Sequence, residues 1–134
     1  TIQQTTRKIT GRPEPTYRRT TTRTTSTGMK LDIQRSTLAP TVVYKGEKIT
    51  VTLQYLIDGA PEKGVTIREK STLSKGGKIL TVLKDETNLK ENGTWENPLS
   101  FAVPRSAQAG NYVVSLQISA QGRSQTARHT FTLR

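Results

Sequence analysis

His129 is the single histidine of this 134-residue chain. It alternates with Ala127, Phe131 and Leu133, a register that predicts a packed or rim histidine. A Ser–His–acid triad would need a nucleophile such as Ser124 beside it, and a nearby acid that the sequence does not supply. One histidine and no cysteine argue against catalytic zinc, and the missing thiol removes Cys-ligated zinc, disulfides and cysteine nucleophiles. Asp85, Glu86 and Glu91 offer oxygens for calcium, but without EF-hand spacing and with Lys84 and Lys90 among them. Gly76-Gly77-Lys78 lacks the spacing of a phosphate loop, and no helix follows. Asn92-Gly93-Thr94 fits the N-glycosylation sequon, but Asn-Gly is also the commonest short-hairpin turn, and the turn is the favoured role. Trp95, next to it, is expected in the core. The residues therefore predict no enzyme, no cofactor and no metal site.

The remaining chemistry is charge. The net charge is +11. Residues 1–30 carry Arg7, Lys8, Arg12, Arg18, Arg19, Arg23 and Lys30 against Glu14 alone, which leaves residues 31–134 with +5. Eleven threonines fall within residues 1–29, and their number admits O-linked sugars on composition alone. With so few apolar residues, this arm cannot offset its own ordering entropy and is expected to be disordered in isolation. A partner is expected to hold it. Threonine favours strands, so Thr20, Thr21, Thr22, Thr24 and Thr25 can add to the edge of a neighbouring sheet. Arg18, Arg19 and Arg23 would then orient the arm. The other course is for the arm to fold back on its own domain. The same arginines could track phosphates, but only Tyr17 is available for base stacking, so a protein surface outranks nucleic acid or an acidic polysaccharide as the partner.

The body that must position this arm begins at residue 30. Leu31 and Ile33 open a strand that Ala39-Pro40 ends. Thr41–Tyr44 is a short strand closed by Lys45-Gly46-Glu47. Ile49, Val51, Leu53 and Tyr55 alternate with polar residues, the signature of a half-buried strand. Val65 and Ile67 start another that runs to about Lys70, and Lys75-Gly76-Gly77-Lys78 reads as a hairpin turn into Ile79–Leu83. Asn88–Asn97 reads as a polar loop. Leu99, Phe101 and Val103 alternate up to Pro104. The longest pattern comes last: Tyr112, Val114, Leu116 and Ile118, a turn at Gln121-Gly122-Arg123-Ser124, then Ala127 to Leu133. Short strands with regular turns and no helical period predict an all-β sandwich of seven to eight antiparallel strands at residues 30–134, preceded by an extended N-terminal arm at 1–29. No apolar run is long enough to be a membrane-spanning helix.

The order Tyr44-Lys45-Gly46-Glu47, Asn92-Gly93-Thr94-Trp95, Phe101-Ala102-Val103-Pro104 and Gly110-Asn111-Tyr112 resembles bacterial extracytoplasmic immunoglobulin-like or fibronectin-III-like modules. The resemblance covers about residues 30–134, without the paired cysteines of antibody domains. It implies an immunoglobulin-like fold, a corner at Gly110-Asn111-Tyr112, and work in adhesion, spacing or assembly. The first residue is Thr1 rather than Met, which fits a processed product or a fragment, a removed secretion signal being one explanation. The expectation is a secreted structural subunit of an extracellular or cell-envelope assembly, such as a filament, pilus-like fibre or coat. Its arm would anchor it to another copy or another subunit by strand addition or groove binding. The alternative is a polyanion-binding module that uses the basic arm.

Overall fold

The computed structural model describes residues 2–4, 7–9 and 29–134. Among the described residues there are ten strands and no helix. They are β1 (Ile2–Gln4), β2 (Arg7–Ile9), β3 (Lys30–Ala39), β4 (Val42–Val43), β5 (Lys48–Asp58), β6 (Val65–Lys75), β7 (Lys78–Lys90), β8 (Gly93–Ala102), β9 (Gly110–Ala120) and β10 (Arg123–Leu133). One sheet has the order β1–β8–β5–β3, with β2 also on β8. The other has the order β4–β10–β9–β6–β7. All pairs are antiparallel except β4 with β10.

Period-2 patterning explains the two layers. Ile49, Val51, Leu53, Tyr55 and Ile57 of β5 all face inward, each at most 3% exposed. Tyr112, Val114, Leu116 and Ile118 of β9 oppose them from the other sheet. Each sheet thus covers the other's apolar face, which neither could leave in water. At the seam Phe131 stacks on Tyr112, with ring centroids 5.3 Å apart, and tilts against Phe101 at 6.4 Å. The Tyr112 hydroxyl donates to the carbonyl of Gln108, fastening the loop before β9 to that strand's first inward residue. Met29, counted above with the arm, is buried in the core.

Three strands depart from the sequence reading. β6 runs to Lys75 rather than about Lys70, because it lies between β7 and β9 and its backbone groups are paired on both sides. Residues 88–97, read as a polar loop, are mostly strand: β7 continues to Lys90 and β8 starts at Gly93. Most of their polar side chains are exposed or half-buried, Lys90 and Asn97 being the buried exceptions, and polarity alone does not distinguish such strands from a loop. Asn92-Gly93 is not a hairpin turn. It carries the chain from one sheet to the other, with the Asn92 side chain bonded to both N and O of Ala60, at 2.8 and 3.0 Å. Glycine is required nearby at Gly64, where φ is +103° and a Cβ would lie 2.8 Å from the carbonyl oxygen of Lys90.

Candidate functional site

The sandwich interior is not uniformly apolar. Tyr55 (β5) and Asn97 (β8) reach in from one sheet, and Glu69 (β6) and Lys84 (β7) from the other. Each is at most 5% exposed. Lys84 Nζ lies 2.7 Å from Glu69 Oε1 and donates to Asn97 Oδ1 at 2.7 Å. Asn97 Nδ2 donates to the same Glu69 Oε1 at 3.0 Å. The Tyr55 hydroxyl donates to Glu69 Oε2. Glu86 Oε1 stands 3.9 Å from Lys84 Nζ, on a side chain that is 39% exposed. Burial first, then the charge and hydrogen bond of Glu69, raises the Tyr55 hydroxyl well above the ordinary tyrosine pKa, so Tyr55 keeps the proton it donates to Glu69. A buried ion pair persists only when its remaining bonds are satisfied, and Tyr55 and Asn97 supply them.

Local geometry delivers these groups. Glu69 shares the inward parity of Val65 and Ile67, and Asn97 that of Leu99 and Phe101. Lys84 is inward for a different reason. Ser71 pairs with Lys84 but Thr72 pairs with Val82, so Leu83 is the extra residue of a β-bulge. The bulge turns Leu83 and Lys84 inward together. The sequence reading missed this site. The signal was present in two in-phase polar residues, Glu69 and Asn97, but strict alternation puts Lys84 outside whenever Leu83 is inside.

The residues singled out from the sequence lie elsewhere. His129 Nε2 is 2.5 Å from Ser36 Oγ of β3, a bond that joins the two sheets at one side. Ser124 is an exposed residue near the start of β10. Asp85 takes a two-point bond from Arg68, at 2.9 and 2.8 Å, rather than joining a metal cluster. Among the described residues, no three histidine or carboxylate side chains converge on one point. Trp95 is partly buried, donates to the Glu91 carbonyl at 2.9 Å, and has Lys90 Nζ 4.6 Å above its ring. Arg18, Arg19, Thr20, Thr21, Thr22, Arg23, Thr24 and Thr25 lie outside the described residues. The start of the arm does not: β1 and β2 pair in tandem along the edge of β8.

Burial lowers the His129 pKa below its ordinary 6.5. The folded state therefore holds this proton more weakly than the unfolded chain. Its contribution to stability is complete above pH 6.5 and is lost as pH falls from there through the lowered value. The urea midpoint, measured from pH 8 down to pH 5, is expected to fall less for His129→Gln than for the parent chain over this window.

Fold and site together define a two-layer β-sandwich with a buried ionic cluster between its sheets. No family model matches the chain, and no curated protein matches it. Among solved structures it is similar to a Niemann-Pick type C2 protein from the Japanese carpenter ant, with TM-score 0.54, 10% identity, and coverage of 78% of this chain and 92% of that one. It is also similar to the alkylpurine DNA glycosylase AlkC of Pseudomonas fluorescens, with TM-score 0.51, 18% identity, and coverage of 78% and 30%. A third is the sporulation control protein Spo0M of Bacillus subtilis, with TM-score 0.50, 10% identity, and coverage of 77% and 49%. The chain thus spans less than half the length of the last two. At such identities the likeness is one of fold alone.

Proposed function

We propose that this chain is a non-enzymatic structural subunit of an extracellular or envelope assembly, joined to its neighbours through its N-terminal segment by strand addition. The observation that carries this reading is the edge of β8. There Ile2–Gln4 pair with Leu99–Phe101, and Arg7–Ile9 pair with Thr94–Glu96. These bonds are main-chain bonds, so the N-terminus of a second copy can make the same set. Connectivity permits the exchange. Ile9 and Lys30 sit on opposite sides of β8 and β5, three strand spacings or roughly 15 Å apart, while residues 10–28 extend to roughly 60 Å. Support for an immunoglobulin-like identity comes from β3–β5–β8 facing β4–β10–β9–β6–β7 and from the Tyr112–Gln108 corner bond. Ile79, Leu80 and Val82, all about half exposed on the edge strand β7, add apolar surface suited to a protein partner.

The test compares the full chain with residues 29–134 by size-exclusion chromatography with light scattering, at low and high salt. The full chain is expected to associate at both salts. A peptide of residues 1–28 is expected to bind the shortened chain and to slow amide exchange at residues 94–101. A full chain that stays monomeric sinks the reading. Binding only to an added polyanion, and only at low salt, would favour the basic segment as a polyanion site instead.

A further inference from the structure

The geometry points to a self-catalysed amide bond between Lys84 and Asn97, with Glu69 as the catalytic acid and base. Three features carry this inference. The amine lies 2.7 Å from the oxygen of the amide it would attack, which places the carbonyl carbon within about 4 Å of Nζ, given the C=O bond length. One carboxylate oxygen, Glu69 Oε1, touches both the attacking nitrogen, at 2.7 Å, and the leaving nitrogen, at 3.0 Å. The cluster is enclosed by the two sheets, so the reactants are held at high effective concentration and water does not compete. A structural ion pair needs its remaining bonds satisfied, but not by a single amide that gives its oxygen to the amine and its nitrogen to the same carboxylate oxygen. An asparagine amide bonded at both ends to that pair is the arrangement this reaction requires.

The step balances without any co-reactant. Lys84 Nζ passes a proton to Glu69 Oε1, giving a neutral amine and a carboxylic acid. The amine lone pair attacks Asn97 Cγ, and the electron pair of the carbonyl moves onto Oδ1. Glu69 gives its proton to Nδ2 and takes one from the former amine nitrogen. The carbonyl re-forms, the Cγ–Nδ2 bond breaks, and ammonia leaves. The products are a secondary amide between β7 and β8, a protonated Glu69 that Tyr55 still contacts, and ammonia. The partly exposed Glu86, 3.9 Å from Nζ, marks the side open to solvent. The bond ties one sheet covalently to the other across their crossover. It does not depend on how the N-terminal segment is used.

Intact-mass spectrometry of the folded full chain, held at neutral pH and then denatured, tests this. The expected mass is about 17 Da below that of the sequence, the loss of one ammonia. Fragmentation after tryptic digestion is expected to show one branched species joining the peptides that contain Lys84 and Asn97. Glu69→Gln and Lys84→Arg are each expected to restore the full mass. A parent chain at full sequence mass overturns the proposal, whatever the variants do. So does a deficit that maps to Asn92-Gly93, where succinimide formation loses the same mass.

Discussion

Lys84→Met is expected to take about 3–5 kcal/mol from the unfolding free energy, because it strands the Glu69 carboxylate inside the sandwich with its countercharge gone. Methionine fills the space of the lysine stem well enough that the loss is one of charge rather than of volume. Glu69 Oε2 keeps the Tyr55 hydroxyl and Oε1 keeps Asn97 Nδ2, but two neutral donors do not replace an ammonium at 2.7 Å. The double variant Lys84→Met with Glu69→Gln is expected to recover most of the loss, since glutamine retains an acceptor and carries no charge. Where the Lys84–Asn97 bond has formed, the single variant opens the cross-linked loop. With Lys84 then an amide and Glu69 protonated, no ion pair is lost, and the cost is instead roughly 3 kcal/mol of loop-closure entropy, which the double variant does not recover. Urea unfolding of the three chains, followed by Trp95 fluorescence, makes the comparison. A single variant within about 1 kcal/mol of the parent, well short of the cost of a stranded buried charge, would mean that water reaches Glu69 and that the cluster is not the closed site described above.

Phe131→Ala is expected to cost about 3–5 kcal/mol, the usual range for emptying an aromatic site in a packed core. Phe131 is 1% exposed, stacked 5.3 Å from Tyr112 and tilted against Phe101 at 6.4 Å. Phe101 belongs to β8, so the ring joins the long β9–β10 pair to the opposite sheet. Its loss opens a cavity where the layers meet, and the backbone there is fixed by the register Phe131↔Tyr112, which restricts collapse. Phe131→Leu keeps part of the volume and is expected to cost clearly less. Equal losses for the two variants in thermal unfolding would show that ring stacking, not cavity volume, sets the effect.

The sequence by itself determined the layers of this protein. The alternation at Ile49–Ile57 and Tyr112–Ile118 has only one solution in water, two sheets sharing their apolar faces, and the glycine turns at 76–77 and 121–122 place the strands that pair. Glu69 also stood in inward phase with Val65 and Ile67, whereas Asn97 fell in a stretch that reads as a polar loop. The tertiary structure alone decided three things. It decided that Asn92-Gly93 crosses between sheets, because a turn motif fixes local backbone and not which strand lies next to the following one. It decided that the first residues lie on the edge of β8, because an edge accepts any extended segment through main-chain bonds that leave no side-chain signature. And it decided that Lys84 is inside. One bulged residue at Leu83 shifts the phase of the strand by one position. A lysine that alternation places in solvent thereby meets a glutamate and an asparagine, both far from it along the chain, in the space between the sheets.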